Sequence, residues 1–196
     1  SLGKVVQLQG DVLAENSGTV INVTLDQPKS YLQGNVAETA DGRVNLVVAD
    51  GGVWRPVYDN TNGSFFDANN SATFVKEYTV AENAIARLTL KEGGNVDLTW
   101  DNPERDPLTA ARSLRIGSLD GTNGTFKLNS NLAQNVADKL SLLAAAAGTQ
   151  NAYIQVGYDP YLTTANLTEG SKVTGKAEVV SAAPDTVSFT GKQGEY

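Results

Sequence analysis

Apolar residues in this chain recur two positions apart, in bursts too short and too often broken to build a helical stripe. Leu114 and Ile116, Phe126 and Leu128, Leu140 and Leu142, and Ile154 and Val156 show it most clearly. A spacing of two puts side chains on one face of an extended strand, because successive Cβ atoms point to opposite sides of the pleat. Between the bursts sit Asp120-Gly121, Asn123-Gly124 and Gly148, where a positive φ comes at little cost. Residues 112–158 therefore read as a compact strand–turn–strand unit, and the rest of the chain is organised around it.

The same pattern extends upstream. Val5, Val6, Leu8 and Val12 open the chain, and after Asn16-Ser17-Gly18 the residues Ile21, Val23 and Leu25 alternate with polar ones until Pro28. Stretches 31–36, 43–48 and 53–57 read as further strands, with turns at Asp41-Gly42 and Asp50-Gly51-Gly52. Residues 58–83 are less regular, with polar loops 59–63 and 67–71 around Phe65, Phe66 and Phe74, and suggest a coil interrupted by a longer excursion. Leu88, Leu90, Val96, Leu98 and Trp100 resume the alternation, and 101–111, with Pro103 and Pro107, reads as a loop. One segment also carries a helical spacing: Leu132, Val136, Leu140 and Leu143 within 129–147, with Gly148 as a stop. The competing reading there is a short turn at 131–137 and a strand from Lys139.

Strands this short, joined by turns too tight for helical crossovers, fit two architectures. A stacked solenoid, with Val23 and Val44 about one coil apart at roughly 20 residues, buries one face of each strand in a narrow core. A β-sandwich would show similar strands. The Asp-Gly pairs at 41–42, 50–51 and 120–121 and the Asn-Gly pairs at 62–63 and 123–124 are ordinarily hairpin turns. Periodicity leaves both open.

Composition narrows function more than fold. The chain has 196 residues, enough for one all-β domain with a sizeable core, and carries 15 basic against 22 acidic side chains for a formal charge of −7. Its basic residues are scattered singly, which argues against nucleic acid and against an anionic membrane surface, since both need clustered Lys and Arg. No apolar run approaches the roughly 20 residues of a spanning helix. The N-terminus carries no signal-like stretch, which a processed or excised piece would lack in any case. Cysteine and histidine are absent, which removes disulfides, thiolate chemistry and the usual zinc and copper ligands. A cysteine-free chain also suits passage through an oxidising compartment unfolded, although many bacterial proteins are simply poor in cysteine.

Candidate chemistry is sparse. Without histidine no Ser–His–Asp set exists. Asp97 with Asp101, or Glu104 with Asp106, could be proposed as a glycosidase pair, but acidic residues at strand ends and in proline loops usually just face water. The Asp/Asn-rich loops 59–63 and 67–71 lack calcium-loop spacing and read as turns. Trp54, Tyr58, Phe65, Phe66 and Phe74 form the densest aromatic region, read as core packing before a ligand patch.

The wording of 118–132 and 137–142 carries a resemblance. Leu119, Gly121, Gly124, Phe126, Leu128, Leu132, Asp138, Lys139 and Leu140 fall on a Leu-x-Gly-x-Gly-x-Phe-x-Leu-x-x-Asp-Leu pattern followed by Ser/Ala-Asp-Lys-Leu. This resembles the C-terminal part of pertactin-like autotransporter passengers. Three features depart from it: Asn131 stands where that family usually has Asp, the Gly121-to-Gly124 spacing is one residue longer than the commonest, and Gly148 follows an unusual alanine run. The tail, at 177–180 and 186–189, is similar to the last passenger strands.

The resemblance implies a single-stranded right-handed parallel β-helix with a C-terminal β-hairpin-like cap, residues 1–111 forming stem rungs and 112–196 the cap and autochaperone region. It implies a folding nucleus at Leu119, Gly121, Gly124, Phe126, Leu128, Asp138, Leu140, Leu142, Tyr153 and Ile154. It implies no catalytic, metal or cofactor residue and no small-molecule substrate or nucleic acid. The partners implied are the chain's own membrane β-barrel translocator and a host-surface or self-association partner on the distal passenger. The place implied is the surface or exterior of a Gram-negative bacterium, reached through the outer membrane. Solenoid physics agrees, since nearest-neighbour contacts require folding to nucleate and then propagate. Two other classes stay in view: a β-helical carbohydrate-active enzyme or polysaccharide-binding module, selected by an acidic cleft and turnover of uronate polymers, and a β-sandwich adhesion module, selected by antiparallel pairing.

Overall fold

A computed structural model describes residues 3–14, 18–38, 42–56, 83–100, 113–132, 135–145, 150–158, 175–182 and 187–192. Among them every named element is a strand. The first coil holds β1 (Gln7–Gln9), β2 (Val12–Ala14) and β3 (Val20–Leu25). The second repeats it with β4 (Tyr31–Gln33), β5 (Val36–Glu38) and β6 (Arg43–Val48), and the third contains β7 (Val53–Arg55) and β8 (Asn83–Leu90). Then come β9 (Asn95–Asp97) with β10 (Ser113–Asp120), and β11 (Thr122–Asn131) with β12 (Val136–Ala137) and β13 (Lys139–Ala145). The last coils are β14 (Gln150–Tyr158) with β15 (Val180–Ala182), and finally β16 (Val187–Lys192).

Pairing decides between solenoid and sandwich. One sheet runs β1-β4-β7-β9-β11-β14-β16, a second runs β15-β13-β10-β8-β6-β3, and β2 pairs β5 in a third. All of these neighbours are parallel; the two-residue β12, antiparallel to β11, is the exception among named strands. The chain is a parallel β-helix. Asp50-Gly51 and Asp120-Gly121 join strands of different sheets, β6 to β7 and β10 to β11, so here they turn coil corners. Gln7 pairs with Tyr31 and Tyr31 with Val53, 24 and 22 positions on, slightly more than the 20 expected. The expected strand at 31–36 is two, because the chain bends at Gly34 and changes sheet.

The core is a stack of ladders. In the first sheet Leu8, Leu32, Trp54, Val96, Phe126 and Ile154 lie one above another. In the second, Val23, Leu46, Leu88 and Leu119 do the same. All but Leu8 are buried, each worth about 1.5–3 kcal/mol relative to exposure. Trp54 heads the aromatic region and is fully buried, its Nε1–H donating to the Gly34 carbonyl at 3.0 Å; Tyr58, Phe65, Phe66 and Phe74 lie outside the described residues.

The helical reading of 129–147 gives way to strand. β11 runs to Asn131 and β13 begins at Lys139, with the turn between them. Leu140 and Leu142 align with Leu114 and Ile116 on the neighbouring rung, and burial on a ladder outweighs a local four-residue spacing. Strand length changes along the stack. In the first sheet β1, β4, β7 and β9 have three residues each, whereas β11 has ten and β14 nine. Both large sheets run past residue 112 without a break in their order.

Candidate functional site

Residues 119–158 form the broad coils. The corner from β10 into β11 turns on Gly121, whose φ of 90° is left-handed and where a Cβ would sit 2.5 Å from the Leu90 carbonyl oxygen. The Asp120 carboxylate closes the turn by accepting the Gly121 N–H at 2.7 Å. Asn123 follows with a φ of 63°, at a bulge where the pairing to β14 shifts between Thr122 and Gly124. Gly124 is buried, and a Cβ on it would lie 2.2 Å from Leu90 Cγ. The missing side chain is what lets the Leu90 isobutyl group fill the space under the widened strand.

From this corner the apolar residues line up in two stacks. Phe126 faces Ile154 and Leu128 faces Val156 across β11 and β14. Leu114 faces Leu140 and Ile116 faces Leu142 across β10 and β13. Leu119, Phe126, Leu128, Leu140, Leu142 and Ile154 are all buried. Tyr153 is different. Its neighbours Ala152 and Ile154 point inward, so alternation turns Tyr153 to the outer face, half-buried, with the Lys192 ammonium 5.7 Å from its ring centre.

Asp138 closes the second corner. It is fully buried, its carboxylate accepts the Asn129 N–H at 2.7 Å, and its own N–H donates to the Asn129 carbonyl at 2.8 Å. The two residues thus clamp each other across the short β11–β12 hairpin, where Ser130 pairs with Ala137 and Asn131 with Val136. A buried carboxylate is tolerable only with such partners. The chain's return is built on the same hairpin: Asn135 Oδ1 accepts the Lys176 N–H at 2.9 Å, and Leu140 N–H donates to the Val179 carbonyl at 2.9 Å.

Sequence reasoning missed the buried polar run Asn129-Ser130-Asn131. Ser130 Oγ–H donates to the Gly157 carbonyl at 3.0 Å, tying two rungs. An Asn-Ser-Asn run reads as a loop, and only its position directly behind the Phe126–Leu128 alternation hints that the strand continues. Of the acids considered for catalysis, Asp97 spends Oδ1 on its own turn, accepting from Thr99 N–H at 3.0 Å and Thr99 Oγ1–H at 2.6 Å. Asp101, Glu104, Asp106, Gly148 and the loops 59–63 and 67–71 lie outside the described residues. Among the described residues no group of three or more His, Cys, Asp or Glu could hold a metal ion, and no helix is long and apolar enough to cross a membrane.

The family comparison falls on the same coils. The Pertactin family model matches residues 85–189, which begins inside β8 and ends inside β16. The autotransporter adhesin/invasin TibA of Escherichia coli O78:H11 (strain H10407 / ETEC) is 32% identical over 133 residues, covering 67% of this chain and 11% of TibA. The chain therefore spans about a tenth of that relative's length. No solved structure matches. The family match over more than half the chain, laid on a parallel β-helix, establishes that this protein belongs to the pertactin family and is an autotransporter passenger region, exported through the outer membrane to the cell surface or beyond.

Proposed function

We propose that this chain is the non-enzymatic stem and folding nucleus of an adhesin passenger, with residues 1–111 as stem rungs and 112–196 as the autochaperone region. The full protein would carry its own outer-membrane β-barrel translocator, and a host-surface or self-association partner would engage the distal passenger. The observation that carries this reading is the jump in strand length from three residues in β9 to ten in β11. A solenoid rung has only two neighbours to lean on, so the rung able to form first is the one with the most pairing and burial of its own. β11 and β14 pair over eight residue positions, where β4 and β7 pair over three. Phe126, Leu128, Leu140, Leu142 and Ile154 supply the apolar part of the nucleus, and Leu119 extends it on β10. Gly121 and Gly124 allow the corner, Asp138 fixes the second bend, and Tyr153 covers the outer face. Once formed, these rungs offer β8 and the narrower coils a finished edge to add to.

The test is display of the exported passenger. Phe126→Asp or Leu140→Asp places a carboxylate on the core ladder and is expected to abolish surface appearance while the barrel still inserts. Leu32→Asp, on the same ladder as Phe126 but in a narrow coil and equally buried, is expected to leave a protease-resistant C-terminal fragment on the surface. Equal loss of all passenger in the three variants, or normal display of a resistant passenger in the first two, would contradict the proposal.

A further inference from the structure

The outer face of the first sheet carries polar side chains in continuous register. Gln9, Gln33 and Arg55 lie opposite one another on β1, β4 and β7. Further along the same sheet Asp97, Lys127, Gln155 and Lys192 lie opposite one another on β9, β11, β14 and β16. At the spacing of neighbouring strands this row runs about 29 Å along the stack, and Arg55 and Lys192 stand about 19 Å apart. Every member but Asp97 is a long hydrogen-bonding side chain, and none belongs to the buried core.

Its charge runs against that of the chain. The protein is acidic overall, yet the described strands of this sheet present three outward cations and one carboxylate, that of Asp97. The Asp97 carboxylate is already engaged by Thr99. Two of the cations are held in place. Arg55 lies 5.5 Å from the ring centre of Tyr31 on the preceding rung, and Lys192 repeats the arrangement over Tyr153. A cation parked on a ring loses less freedom when it takes a ligand.

We propose that this face is a binding surface for an extended anionic polysaccharide lying along the axis of the stack. Repeating acidic groups would meet Arg55, Lys127 and Lys192, and hydroxyls would meet the carboxamides of Gln9, Gln33 and Gln155. A peptide strand is the poorer occupant, because it adds to a sheet edge and this is a face. The site stands on the fold and its charges and is independent of the folding-nucleus reading.

Direct binding to the purified 196-residue chain tests it, with three probes: a heparin-derived oligosaccharide, a polyuronate oligosaccharide and neutral dextran. At least one anionic probe is expected to bind about tenfold or more tightly than dextran, and more weakly as salt rises. Heparin alone would identify the acidic group as sulfate; polyuronate binding would extend it to carboxylate. Combining Arg55→Gln, Lys127→Gln and Lys192→Gln is expected to weaken binding about tenfold. Lys127→Gln with Lys192→Gln, two surface changes that leave Arg55 in place, should still cost about fivefold. Arg43→Gln with Arg87→Gln, on exposed positions of the second sheet, should leave affinity within about twofold. Dextran binding as well as the anions, no binding by either anion, or an equal loss from the second-sheet pair would overturn the proposal.

Discussion

The narrow coils at the N-terminal end and the broad coils that follow share one topology and differ in how much each rung brings with it. In β1 to β7 the first sheet uses three-residue strands, and a third sheet, β2 with β5, closes the coil. In the second sheet β8 and β10 have eight residues and β13 seven, and in the first sheet β11 and β14 reach ten and nine before β16 falls back to six. Burial does not separate them: among the described residues Leu32 and Trp54 of the narrow coils are as fully buried as Phe126 and Leu128 of the broad ones. On the proposed order of assembly, width in a stack of nearest neighbours sets which rung can stand before its neighbours arrive.

The sharpest way to break this contrast is to cut the same ladder in both regions. Phe126→Ala should cost about 3–5 kcal/mol and, on the proposed order of assembly from its rung outward, destabilise the whole chain. Leu32→Ala should cost about 2–5 kcal/mol by the same cavity chemistry, but confined to the narrow coils. Denaturant unfolding in a Trp100→Phe background, followed separately by the fluorescence of Trp54 and by proteolytic mapping of the broad coils, distinguishes the two; equal effects on both signals from both variants would erase the contrast.

A smaller effect tests the corner that begins the broad strands. Gly124→Ala pushes a methyl group into Leu90 and should cost about 1–3 kcal/mol. Leu90→Ala in the same chain should recover part of that cost, because the two changes share one volume. Thermal unfolding of the two single variants and the double measures it, and strict additivity would mean the corner tolerates a side chain elsewhere. The smallest effect belongs to Lys139→Ala. Its 2.6 Å ion pair with Glu178 lies at the surface, so the loss should not exceed about 1 kcal/mol and should shrink in salt.

Much of this was legible in the sequence, and the rest was hidden for definable reasons. The alternation of Leu114 with Ile116 and of Phe126 with Leu128 announces strands, and the same residues prove to be core. Parallel pairing was not legible from turns, because Asp50-Gly51 and Asp120-Gly121 supply the same left-handed backbone whether the next strand lies alongside or in another sheet. Stretch 31–36 looked like one strand because its apolar residues keep their spacing across Gly34, where the chain bends. Tyr153 was grouped with the apolar nucleus by residue type, although strict alternation with Ile154 already turned it outward. The buried Asn129, Ser130 and Asp138 leave no periodic trace at all, since their burial rests on hydrogen bonds to backbone groups brought close only by the coil.

The central claim concerns order of formation, and pulse-labelling hydrogen exchange during refolding of the 196-residue chain measures it directly. Amides of β11, β13 and β14 are expected to gain protection first and together, with those of β3, β4 and β6 following in a later phase. Protection that arises first in β3 and β6, or at one rate throughout the stack, would contradict it.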